Sequence, residues 1–146
     1  MRIAYVDSSV VVRYYLPNDP HHAEAVALID EIDSAAVTGT WTLIEASGAL
    51  VRACRNARIK PGPILARLDL DMTEGPITLL SEPQDDVERI AIDIVRTEGI
   101  RAMDAWHIAV ALLALPELAG PGDTPVFVTR DADQALAAQR RGLTVM

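Results

Sequence analysis

The chain has little from which to build a disulfide, a zinc centre or a basic nucleic-acid coat. Its 146 residues include one cysteine, Cys54, so no internal disulfide can form. The helical surroundings of that residue, "LVRACRNA", read it as a small half-buried core residue in a reduced, cytosolic setting. Apart from the neighbours His21 and His22, no histidines pair at ligand spacing, which excludes an ordinary zinc site. A single lysine, Lys60, stands beside twelve arginines. These 13 basic residues face 21 acidic ones, for a net charge of −8. Such a balance excludes a general nucleic-acid coat, which is normally basic, but not a nuclease whose clustered acids are offset by divalent cations. No run of about 18 uncharged apolar residues occurs, so no membrane span is expected. The first residues read directly as a strand, so no signal peptide is expected either. Internal repeats and low-complexity segments are also lacking.

What is present is apolar: half of all residues. One domain over residues 1–146 is expected, of a size that buries roughly 70% of its unfolded surface. Short apolar runs alternate with helical periodicity. Ile3 to Val6 predicts a strand, followed by a short helix from Ser8 to Leu16 that "PNDP" stops. A stripe of Ala23, Val26, Ala27, Ile29 and Ile32 predicts a helix over 22–32. A short strand at 36–38 precedes a helix over 41–57 with Leu43, Ala46, Leu50 and Ala53 on one face. Beyond "IKPGP" a helix is expected at 63–72, then the strand "PITLL". Residues 85–98 form an amphipathic helix ending at Gly99, and 103–115 an apolar helix ended by Pro116. After a loop to residue 125 come a strand at 126–128, a helix at 131–141 and a last short strand at 143–145. Strands alternating with helices imply a parallel sheet covered on both faces.

The acids fall where such a sheet makes sites, beyond the carboxyl ends of its strands. Asp7 ends the run Ile3–Val6, Asp131 follows "VFVT", and Asp104 opens the apolar helix "MDAWHIAVALLAL". Glu45 lies one turn inside the helix after the second strand, in the uncharged stretch "GTWTLIEASGALV", where an ionised carboxylate is costly to bury alone. Taken singly, Asp7, Asp104 and Asp131 read as ordinary helix caps, and Glu45 as solvent-facing. Taken together, they become one carboxylate cluster. Two like charges 4 Å apart repel by roughly 4 kcal/mol at an effective dielectric of about 20, so either the carboxyl pKa values rise or cations bind. With only oxygen ligands on offer, the natural ions are Mg²⁺ or Mn²⁺.

Four segments, "YVDSSVVVRYYL", "LIEASGAL", "RAMDAWHIAVAL" and "VFVTRDADQALAAQRRGLTV", resemble in order and spacing the PIN-domain ribonucleases, and most nearly the VapC toxins of bacterial toxin–antitoxin pairs. The resemblance implies an α/β three-layer fold around a mostly parallel five-stranded sheet of order 3-2-1-4-5. It implies that Asp7, Glu45, Asp104 and Asp131 are the acidic constellation, with Asp133 an additional acid found in some members. It further implies Mg²⁺- or Mn²⁺-dependent cleavage of RNA, a cognate VapB-like antitoxin and a homodimer, for which the stripes near residues 43–68 are candidate surface. Trp106 departs from the family pattern, in which a smaller apolar residue is more usual.

Around the acids, Ser8, Ser9 and Thr129 carry hydroxyls that either orient carboxylates or cap helices, and Ser9 and Thr129 recur in the family motifs. His107 shares a helix face with Asp104 and reads mainly as a hydrogen-bonded core residue, with substrate or proton binding as the alternative. His21 and His22 read as surface residues. Trp41, Tyr14 and Tyr15 read as packing rather than base-stacking residues. Arg52, Arg55, Arg58 and Lys60 form the one dense basic cluster. Arg52 and Arg55 are candidates to guide an RNA backbone, set against a solvated helix end. Arg130, Arg140 and Arg141 are further candidates. Two other readings compete: a PIN-like module that binds RNA or antitoxin without cutting, and a phosphoryl-transfer receiver. The latter is disfavoured because "DSS" offers no adjacent acid pair and Lys60 lies in a loop.

Overall fold

A computed structural model describes residues 1–31 and 33–146. Strand β1 (Arg2–Val6) is followed by helices α1 (Ser8–Tyr14) and α2 (His22–Ile29), strand β2 (Ser34–Gly39), helices α3 (Trp41–Ala57) and α4 (Gly62–Thr73) and strand β3 (Ile77–Leu80). Helices α5 (Gln84–Glu98) and α6 (Ala102–Leu118), strand β4 (Thr124–Val128) and helix α7 (Ala132–Arg140) complete the chain. The stripe residue Ile32 lies outside the described residues.

The strands form one parallel sheet of order β3-β2-β1-β4. Alternation along each strand divides the core between its two faces. Ala4, Val6, Ala36, Val126 and Val128 point to one side, where they meet apolar residues of α1 to α4. Ile3, Tyr5, Val37 and Phe127 point to the other, against α5, α6 and α7. Both faces are covered, so β1 needs no polar alternation and reads as a continuous apolar run. This is the expected three-layer α/β architecture.

Two expectations need correction. The sheet has four strands among the described residues, not five. The segment at 143–145 runs beside β4 but makes one isolated bridge, Phe127 to Val145. Its bonds are Phe127 N–H to Thr144 O at 2.8 Å and Met146 N–H to Phe127 O at 2.9 Å, with Thr129 N–H to Met146 O longer at 3.3 Å. The spatial order is as predicted, but the turn after Gly142 leaves too few residues in register for a ladder. Pro116 does not end α6, which runs on to Leu118. Proline removes only the bond to the Leu112 carbonyl, and exposed Pro116 lies in the last turn, where water can satisfy that oxygen. By contrast, "IKPGP" does end α3: Arg58 turns left-handed at φ 57° and Ile59 N–H returns to Cys54 O at 2.9 Å.

The topology sets the site. The chain runs from β1 outward through β2 to β3, then crosses back to β4 on the other side of β1. The carboxyl ends of β1 and β4 therefore flank a switch point, where helices depart to opposite faces and leave a crevice.

Candidate active site

Register carries the first acids into that crevice. Val6 pairs with Val128, and Asp7 N–H bonds Val128 O at 3.0 Å, so Asp7 and Thr129 leave the sheet side by side. Asp7 caps α1, and its Oδ2 accepts Ser9 Oγ–H at 2.6 Å. Asp131 caps α7, accepting Gln134 N–H at 2.9 Å. The cap role and the site role thus fall on the same residues. Among the described residues Thr129 reaches no carboxylate; its hydroxyl donates to Gln134 Oε1 at 2.5 Å and accepts Asp131 N–H at 3.1 Å, fixing the turn that presents Asp131. Gln134 also donates to Asp104 O at 3.2 Å, tying the start of α6 to α7.

Asp7, Glu45, Asp104 and Asp131 line one cleft of about 510 Å³, together with Ser8, Ser9 and three arginines, Arg13, Arg101 and Arg130. Asp133 is placed differently: it lines an adjoining hollow that shares Arg101, Asp104 and Asp131 with the cleft. Arg52 lines a hollow on the opposite side, beside Ser9, Arg13 and Glu45. Arg55 is exposed and outside these linings.

The cleft compensates its negative charge from within. Arg101 donates Nε to Asp104 Oδ2 at 2.9 Å and Nη2 to Asp131 Oδ2 at 3.1 Å. Burial pushes the Asp104 carboxyl above its ordinary range; Arg101 pulls it back, and the Asp131 and Asp7 carboxylates push it up again. Those acids in turn raise the Arg101 guanidinium, the hydrogen bond to Asp104 most of all. Glu45 is held by His107, whose Nε2 lies 2.6 Å from Glu45 Oε1 and 3.7 Å from Asp7 Oδ1. Two acids are engaged by Arg101 and a third by His107, and among the described residues no group of three or more acidic, histidine or cysteine side chains is placed to hold a metal ion. By chemistry alone, four carboxylates sharing a polar cleft are the oxygen donors that a hard divalent cation takes.

Sequence reasoning passed over Arg101 and Arg13. The Arg101–Asp104 pair stands at helical i,i+3 spacing, a signal that was available. Arg13 Nη1 is buried with no hydrogen-bond partner among the described residues. Most other minor candidates are engaged in packing or ion pairs. Tyr14 donates to Asp30 and Tyr15 to Asp71, His22 contacts Arg13 O, Arg140 pairs with Glu98 and Arg141 with Asp93. Trp106, the family departure, packs against Gly39, where an added Cβ would fall 2.5 Å from the indole.

The PIN domain family model matches residues 4–139. A search of curated proteins gives no match. Solved structures are similar as well, three of them as follows. The first is the VapC20 toxin of Mycobacterium tuberculosis, a sarcin–ricin loop cleaving toxin: 19% identity over 75% of this chain and 81% of that one, TM-score 0.61. The second is VapBC2 of Rickettsia felis bound to a promoter DNA fragment: 12% identity, 99% and 97% covered, TM-score 0.63. The third is VapBC-1 of nontypeable Haemophilus influenzae: 14% identity, 99% and 96% covered, TM-score 0.61. These likenesses establish a common fold. The family match spans all four cleft acids, and the chain belongs to the PIN domain family.

Proposed function

We propose that this protein is a metal-dependent endoribonuclease of the VapC toxin type, restrained by a VapB-like antitoxin. The observation that carries the reading is the convergence of Asp7, Glu45, Asp104 and Asp131 on one cleft at the carboxyl edge of a PIN-domain sheet. Asp7, Asp104 and Asp131 would hold Mg²⁺ or Mn²⁺, with Glu45 beside them and Asp133 at the margin. When bound, such an ion neutralises phosphodiester charge and acidifies the attacking water. Glu45, 30% exposed at its side chain, orients or deprotonates that water. In-line attack by water leaves a 5′-phosphate and a 3′-hydroxyl, and the 2′-hydroxyl takes no part.

Arg13 and Arg130 on the cleft wall, and Arg52 beyond it, supply phosphate contacts along the strand. Arg55, exposed beyond these linings, is a weaker candidate. The Arg101 bridge supports the antitoxin reading, since it demonstrates that a guanidinium satisfies these carboxylates. Exposed Ile44, Ile59 and Leu70, on or beside α3 and α4, supply apolar surface for a homodimer. The same bridge also favours a second reading, a PIN-fold module that binds RNA or antitoxin without cutting, because two of the four acids are already occupied.

The test is sequencing of 5′-phosphate RNA ends after induction of the wild type and of Asp7→Asn. Discrete cuts that vanish in the variant are expected. Ends unchanged between the two would leave the binding module.

A further inference from the structure

Behind Glu45 lies a line of buried polar groups that the nuclease reading does not use. Tyr5 and His107 are both fully buried. Tyr5 OH lies 2.9 Å from His107 Nδ1, and His107 Nε2 lies 2.6 Å from Glu45 Oε1. Nε2 faces two carboxylates, Glu45 and Asp7, which only accept when ionised, so Nε2 carries the hydrogen. Gly39 N–H donates to the Tyr5 oxygen at 3.2 Å, leaving the phenol one proton to give. The side-chain hydrogen bond of the phenol is the 2.9 Å contact with His107 Nδ1, so Nδ1 is the acceptor for that proton. Donation therefore runs from Gly39 to Tyr5 to His107 to Glu45.

The line is rigidly packed. Tyr5 stacks on Phe127 with centroids 5.6 Å apart, and Trp106 meets the His107 ring edge-on at 5.2 Å. Gly39 admits no side chain, since a Cβ there would lie 3.0 Å from the Tyr5 oxygen as well as against Trp106. Among the described residues only Oε1 of Glu45 is engaged.

We propose that Tyr5 and His107 are positioning residues for Glu45. Tyr5 fixes the orientation of His107 with its Nε2–H towards the cleft, and that ring anchors one oxygen of Glu45, so that the other is presented to the cleft. The proposal rests on the nuclease reading for its consequence in catalysis, but not for the orientation of the ring.

The full chain is tested as wild type, Tyr5→Phe, His107→Gln and His107→Leu. Ring ¹⁵N spectra of the wild type should show His107 protonated at Nε2 and bare at Nδ1. Tyr5→Phe should shift the Nδ1 signal and move the Glu45 carboxyl ¹³C resonance. In cleavage, Tyr5→Phe should lower kcat by about ten-fold with KM nearly unchanged. His107→Gln, which can still donate near the Nε2 position, should retain more kcat than His107→Leu. A wild-type His107 protonated at Nδ1 overturns the proposal whether or not RNA is cut. So does an unmoved Glu45 resonance in folded Tyr5→Phe, or equal kcat in the Gln and Leu variants. A wild type that cuts no RNA counts against the nuclease reading alone.

Discussion

Arg101 is 78% exposed at its side chain, yet it makes the most consequential contacts in the cleft. A long, mobile cation spanning two carboxylates does in part what a divalent ion would do: it offsets the repulsion between Asp104 and Asp131. The two compensations compete for the same oxygens. Replacing Arg101 by Gln should therefore lower stability slightly without divalent ions and increase the stabilisation that Mg²⁺ provides. A tenfold gain in affinity corresponds to about 1.4 kcal/mol at saturating ion. Thermal melts of wild type and Arg101→Gln across a Mg²⁺ series would measure this, with Asp104→Asn as the variant whose response is blunted. Equal Mg²⁺ shifts in wild type and Arg101→Gln would show that the guanidinium does not compete. Asp7, Asp104 and Asp131 were legible in the sequence because each stands at a strand end or helix start, and Glu45 because it is the one charge in an otherwise uncharged helical stretch. The Asp104–Arg101–Asp131 bridge was not, because it depends on the spacing between α6 and α7.

At the scale of elements, the sequence showed helices and strands well wherever periodicity was long. It did worse where a single residue type was asked to end an element, as with Pro116, or where pairing depended on a neighbour's length, as with the segment after Gly142. It also passed over Asp71. That carboxylate is 2% exposed, far from the cleft in sequence, and accepts Tyr15 O–H at 3.0 Å and Arg67 Nε–H at 2.7 Å. It pins α4 to the end of α1. Gly75 follows because a Cβ there would fall 2.5 Å from Asp71 Cα. Asp71, like its neighbour Asp69 on the same amphipathic helix, looks solvated in sequence; only the packing of α4 under Tyr15 reveals it as buried. Asp71→Ala leaves the Tyr15 hydroxyl without its acceptor and should cost about 2 kcal/mol. The denaturant midpoint would register the loss, while RNA cleavage by the folded fraction should be unchanged. A midpoint equal to the wild type would mean that Tyr15 finds another partner.

Across the whole molecule, the three tyrosines share a direction. Burial pushes all three phenols up, including that of Tyr5 within the sheet. Tyr14 is raised to about 12 by burial and then by Asp30, and Tyr15 by burial and then by Asp71. An unfolded tyrosine ionises near pH 10. From about pH 10 to about pH 12 the unfolded chain therefore releases phenolic protons that the folded chain keeps, so stability must fall as pH rises through that window. At neutral pH every phenol is protonated, which is the state Tyr5 needs in order to donate to His107. Phenolate absorbance and far-ultraviolet circular dichroism, followed together against pH, would test the shared direction. Phenolate should appear in step with loss of secondary structure. Three phenols titrating near pH 10 in a chain that keeps its dichroism would mean that water reaches Tyr5. The buried line from the sheet to Glu45 would then be open to solvent.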